Sequence, residues 1–178
     1  MDRFSEEERT QLSGISWDMD ETIAAKSLKL LTQLLYKYYG KKPIILLDEY
    51  DTPMQEAYFH GYWEQMAAFM RGFLNNTFKT NPLLEKALMT GITRIGRESM
   101  FSDMNHIDVA TITTHKYETA FGFTQKEVFA ALDHVGLGKY KKQVKQWYDG
   151  FMIGRCKDIY NPWSITKFID SDGRFDTY

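Results

Sequence analysis

The sequence predicts an α/β fold: a parallel sheet flanked by helices, followed by a small, mostly helical lobe. Two observations carry the sheet. Residues 44–51 read "IILLDEYD", four large aliphatics running into three acids, and a second candidate core strand, Leu84 to Ile92, follows after a helical stretch. A run that short, without polar alternation, suits an interior strand buried on both faces of a parallel sheet. Strand, crossover helix and strand then make a right-handed parallel unit. The third observation is a change of texture after Phe123, where helix-start signals and a glycine-punctuated hairpin replace the strand pattern. A soft boundary near residue 120 divides the chain into 1–120 and 121–178.

Each element has a local reason. From Asp18 to Gly40, the residues Ala24, Ser27, Leu28, Leu31, Leu34, Leu35 and Tyr38 share one helical face. Asp18 with Glu21 reads as a capping box, and Gly40 suits the position just past the helix end. Lys41, Lys42 and Pro43 stop that helix and launch the first strand. Thr52–Pro53 reads as a loop. A second helix from about Tyr62 to Phe78 carries the stripe Tyr62, Met66, Phe69, Met70 and Phe73, and Asn81–Pro82 ends it. Leu84–Ile92 is the second candidate strand, its first half also able to extend a helix, and Ile107–Ile112 a short third. In the lobe, Thr124 with Glu127 is another capping box, and a helix from about Tyr140 to Tyr148 precedes the hairpin "YDGFMIGRCKDIY". Asn161–Pro162 starts a last helix.

Composition narrows the function. The chain has 178 residues, 43% of them apolar, and a net charge of −2, which supplies a core and gives no compositional case for binding nucleic acid. One cysteine, Cys156, forms neither an internal disulfide nor a zinc site and favours a reducing cytoplasm. The four histidines, His60, His106, His115 and His134, show no metal-ligand spacing. No apolar stretch approaches the ~18 residues of a membrane span.

Chemistry concentrates in the acids. In open parallel sheets, ligands bind beyond the carboxyl ends of the strands. A strand ending in Asp-Glu delivers two carboxylates there, and phosphoryl transfer uses such a pair. Asp48 can hold Mg²⁺ through water, and Glu49, pointing differently, can orient and deprotonate an attacking water. Tyr50 and Asp51 extend the site. The second strand ends "MTGITRIGR", which places Thr90 where a hydroxyl can meet a phosphate or water, with Arg94 and Arg97 beyond it to stabilise transition-state charge. The plainer alternative is that the acids end a strand and cap a loop, and that the arginines are solvated. A phosphate-cradling G-x-x-x-x-G-K-[ST] loop does not occur in these residues.

Together, "KPIILLDEYDTPMQEAY", "MRGFLNNTFKTNPLLEKALMTGITRIGRESMFSDMN", "FGFTQKEVFAAL", "WYDGF" and "IYNPWSI" resemble successive signatures of the AAA-ATPase-like family. These are bacterial P-loop ATPases, frequently followed by a PD-(D/E)XK nuclease-like domain. The resemblance runs from roughly Asp20 to the end. It implies that 1–120 is the C-terminal part of a P-loop NTPase-type sheet domain and that "IILLDEYD" is its Walker B strand. Asp48 would then be the Mg²⁺ ligand, Glu49 the catalytic base and Thr90 a polar sensor; Asp51, which extends the site in the residues themselves, is expected as a further cofactor contact.

The family's strand and Gly-Lys-Ser/Thr loop would lie upstream. The expected partners are therefore that Walker A segment and a downstream nuclease-like domain of the same full-length chain. ATP and Mg²⁺ are expected in the full-length protein and neither on this stretch alone, which should be inactive in isolation. An incomplete sheet also predicts an exposed edge or apolar face, and hence self-association. The competing expectation is a non-catalytic protein–protein interaction module. No E-x-K tripeptide occurs, so these residues hold no nuclease signature of that kind.

Overall fold

A computed structural model describes residues 3–93, 101, 104 and 107–177. The chain divides into two compact units, Met1–Ile107 and Asp108–Tyr178, so the break falls earlier than residue 120.

The first unit contains α1 (Glu6–Ser13), α2 (Glu21–Tyr39), β1 (Ile44–Leu47), α3 (Thr52–His60), α4 (Trp63–Phe78) and β2 (Lys86–Met89). Asp20, not Asp18, caps α2, accepting the Thr22 and Ile23 N–H groups at 2.8 and 3.0 Å; Asp18 instead accepts from the Ser16 hydroxyl. Gly40 closes α2 at φ 67, the left-handed value glycine adopts without strain. Thr52–Pro53 is no loop. Pro53 sits in the first turn of α3, where its fixed φ suits a helix and its missing N–H costs nothing.

β1 and β2 pair in parallel, with Ile44 opposite Lys86 and Leu47 opposite Met89. One face of this pair meets the core. Met54, Ala67, Met70, Leu74 and Met104 are buried there, with Leu47, Met89, Tyr50 and Phe101 packed against them. Buried hydroxyls in the helices are satisfied locally, Thr32 donating to Leu28 O and Thr77 to Phe73 O at 2.8 and 2.7 Å. The other face is bare: Ile44 is 60% exposed, Leu46 74% and Leu88 55%. The expectation of an interior strand buried on both faces is therefore corrected. Among the described residues β1 has one strand neighbour and one covered face.

The second unit contains β3 (Phe123–Thr124), α5 (Gln125–His134), a single 3₁₀ turn (Gly138–Tyr140), α6 (Lys141–Tyr148), β4 (Asp149–Ile153), β5 (Cys156–Tyr160) and α7 (Pro162–Asp170). The expected hairpin is β4–β5, and β3 adds to it in an antiparallel sheet ordered β3-β5-β4. Val128, Leu132, Val144, Tyr148, Tyr160, Ile165 and Phe168 form its core. Thr124 and Glu127 make the reciprocal capping box of α5, and the Asn161 side chain caps α7. Ile107–Ile112 is not a strand. The Thr111 N–H donates to Thr114 Oγ1 at 3.0 Å and the Thr114 hydroxyl donates to Thr111 O at 2.8 Å, as threonine does where it competes with a ladder.

Candidate functional site

Because β1 and β2 are parallel and in register to their last residues, both leave the sheet at the same rim. Asp48 directly follows β1 and Thr90 directly follows β2. The ladder continues past the strand ends: the Thr90 N–H donates to Leu47 O at 2.9 Å and the Tyr50 N–H to Thr90 O at 3.0 Å. The Thr90 hydroxyl donates to Asp48 Oδ1, which also accepts the Glu49 N–H at 3.1 Å. Two residues forty-two positions apart thus meet at one carboxylate.

Glu49 stands apart from its neighbours. Its side chain is exposed, and its φ of 51 lies in the left-handed region, where a Cβ-bearing residue loses roughly 1–2 kcal/mol. The strain turns the chain sharply: the Thr52 N–H reaches back to Glu49 O at 3.0 Å, and α3 begins at once. Strain of this kind concentrates at ligand sites, where surrounding structure holds it.

Asp51 faces inward and is 1% exposed. Burial is the largest influence on its carboxyl and works upward. The Thr93 backbone N–H, its own, the Gln55 side chain and the Ile92 N–H together outweigh burial and hold the group below its ordinary value. Asp51 Oδ2 accepts Thr93 N–H at 2.6 Å and Gln55 Nε2 at 2.9 Å. The Tyr50 hydroxyl donates to Thr93 O at 3.2 Å, and its ring meets Phe101 edge-on at 5.7 Å.

Gly91 is what allows this closeness. A Cβ there would stand 2.6 Å from Asp51 Oδ1 and 2.7 Å from the Tyr50 ring. Sequence reasoning named neither Gly91, Gln55 nor Thr93. A glycine two residues past a strand end was the available signal for close backbone approach. Arg94 and Arg97 lie outside the described residues.

The donor set at the rim is all oxygen: an exposed carboxylate and a hydroxyl. That suits a hard cation that keeps most of its waters and takes one or two carboxylates. Among the described residues no group of three or more His, Cys, Asp or Glu could hold a metal, so a site enclosed by protein ligands is not built here.

The family model described as "Predicted AAA-ATPase" matches residues 1–101, which contain both strands and the whole rim. The chain belongs to the AAA-ATPase-like family. A similar protein is "Uncharacterized protein in vnfD 5'region" from Azotobacter chroococcum mcd 1, 24% identical over 131 residues. That alignment covers 71% of this chain, and the chain spans 24% of the relative's length. No solved structure matches. This AAA-ATPase-like chain is a mixed α/β protein with a two-stranded parallel sheet, and among its described residues no helix is long and apolar enough to cross a membrane.

Proposed function

We propose that this chain carries the water-activating half of an ATPase site within a P-loop NTPase-type domain. The observation that supports the reading is the meeting of Asp48 and Thr90 at the carboxyl rim of a parallel strand pair, inside the matched family region. Asp48, on what would be a Walker B strand, would hold Mg²⁺. Bound Mg²⁺ supplies charge neutralisation to the phosphates. Glu49, exposed beside it, orients the attacking water and takes its proton. Thr90 senses the state of Asp48 through its hydroxyl, and Arg94 and Arg97 would balance charge that develops on the phosphates. Asp51 acts from behind the site, since its carboxylate is buried and occupied by protein donors.

A triphosphate also needs a cradle of backbone amides and a lysine. No G-x-x-x-x-G-K-[ST] loop occurs in these residues, so the reading places the cradle, and any nuclease-like domain, elsewhere in the same full-length chain. A second reading, a protein-interaction module, draws on the bare apolar face at Ile44, Leu46 and Leu88.

The test is a pair of variants in the full-length protein. Glu49→Gln should keep nucleotide affinity and lower hydrolysis by about 10²–10⁴-fold, the worth of a positioned general base. Asp48→Asn should raise the Mg²⁺ concentration needed for both binding and turnover. Parallel titrations of affinity and turnover decide it. Parental hydrolysis by Glu49→Gln would make Glu49 a structural acid.

A further inference from the structure

Asp51 occupies the N-cap position of α3, yet it does not cap. An aspartate there ordinarily turns its carboxylate onto the first free N–H groups of its own helix. Here the backbone is already helical, at φ −89 and ψ −12, and the side chain makes no cap hydrogen bond. The carboxylate instead crosses to the segment that follows β2 and accepts the Thr93 N–H at 2.6 Å, while Gln55, one turn along α3, donates to the same oxygen at 2.9 Å. The helix start gives up its cap for a bond forty-two residues away.

That bond carries on where the sheet stops. Pairing of β1 with β2 ends at Leu47 and Met89. Beyond it, the 90–93 segment is held by Tyr50 N–H on Thr90 O, Tyr50 hydroxyl on Thr93 O and Asp51 on Thr93 N–H. Two adjacent residues therefore grip both ends of the segment that presents Thr90. The fit leaves no room for adjustment, because Gly91 lies directly against Asp51 and Tyr50. The Thr90 hydroxyl reaches Asp48 only while this segment lies in place.

We propose that Asp51 is a positioning residue: through Thr93 and Gln55 it clamps the 90–93 segment so that Thr90 stays on Asp48. The proposal rests on the reading of Asp48 as the metal-linked carboxylate for its catalytic consequence, but not for the clamp itself. The clamp links the turn after one strand to the turn after the other. Without it, Asp48 would lose its hydroxyl partner, and the turn its Oδ1 shares with the Glu49 N–H would loosen with it.

Two measurements test it, on the 178-residue chain and on the full-length protein. Amide hydrogen exchange in the 178-residue chain reads the clamp. The Thr93 amide should be protected in the parent and exchange at least about tenfold faster in Asp51→Ala, the worth of a hydrogen bond to a charged acceptor. The Thr90 and Glu49 amides should speed up with it, while those of α4 keep their parental rates. Asp51→Asn, which retains an acceptor oxygen, should restore much of the protection. An unprotected Thr93 amide in the parent overturns the clamp. Loss of protection at Thr93 alone, with Thr90 and Glu49 unchanged, overturns its positioning role.

Steady-state turnover in the full-length protein reads the consequence. Asp51→Ala should lower kcat by at least about tenfold with KM for ATP unchanged, and raise the Mg²⁺ requirement, with Asp51→Asn in between. Parental kcat in Asp51→Ala, with the clamp shown broken by exchange, overturns the proposal. A parent that turns over no ATP removes the ATPase reading instead, and exchange at Thr90 and Glu49 still decides the clamp.

Discussion

Three acids in four positions resolve into three different physical situations. Asp48 is exposed and shared between a hydroxyl and a backbone N–H; Glu49 is exposed on a left-handed turn; Asp51 is buried and filled by protein donors. The protonation state of Asp51 bears on stability. Its carboxyl is held below the ordinary 3.8, so in the unfolded chain it takes up a proton at a higher pH than in the fold. Its contribution is therefore complete above the ordinary value and disappears as the pH falls through the lower folded value. Denaturant midpoints measured from about pH 5 downward should fall more steeply for the parent than for Asp51→Asn, whose amide does not titrate. Equal pH slopes for the two would mean that the Thr93 and Gln55 bonds do not favour the ionised form.

At the scale of elements, boundaries were legible where a residue imposes them chemically. β1 begins after Pro43 and ends before Asp48, and Gly40 ends α2. Thr124 and Glu127 start α5, with the Glu127 N–H reaching Thr124 Oγ1 at 3.4 Å and the Thr124 N–H reaching Glu127 Oε2 at 2.8 Å. Thr124→Ala should lower the stability of the chain by about 1 kcal/mol in denaturant titrations, the usual loss at a helix N-cap, and Thr124→Ser should recover most of it. An unchanged midpoint in Thr124→Ala would show that the packing of Val128 and Leu132 alone holds α5. α3 was missed because "TPMQEAYFH" shows little apolar periodicity: only Met54 and Ala57 are buried. The run at 107–112 looks like a strand by composition, but the Thr111 backbone finds a local partner in the Thr114 hydroxyl first.

On the scale of the whole molecule, the bare sheet face is the feature with the largest consequence. Leu46 and Leu88 are register partners and so lie side by side, with Ile44 two residues along on the same face. Parallel sheets are ordinarily covered on both faces, and contiguous exposed aliphatics mark a surface that something covers. The 178-residue chain should therefore self-associate with rising concentration, and Leu46→Lys should shift it toward monomer. Sedimentation equilibrium decides this. A clean monomer for the parent at high concentration would show that the face tolerates water.

What the sequence determined by itself is local and periodic. A proline, a glycine at a helix end, a capping threonine and an unbroken aliphatic run each constrain the backbone through their own sterics or hydrogen bonds. The pairing of Asp48 with Thr90 was also foreseeable, since two strands in parallel must end at one rim. Tertiary structure alone decided which face of β1 is covered, that Asp51 turns inward, and that Gly91 passes against it. The last two depend on neighbours forty or more residues away in the chain, and no local pattern around "IILLDEYD" specifies a distant N–H group or the absence of a Cβ.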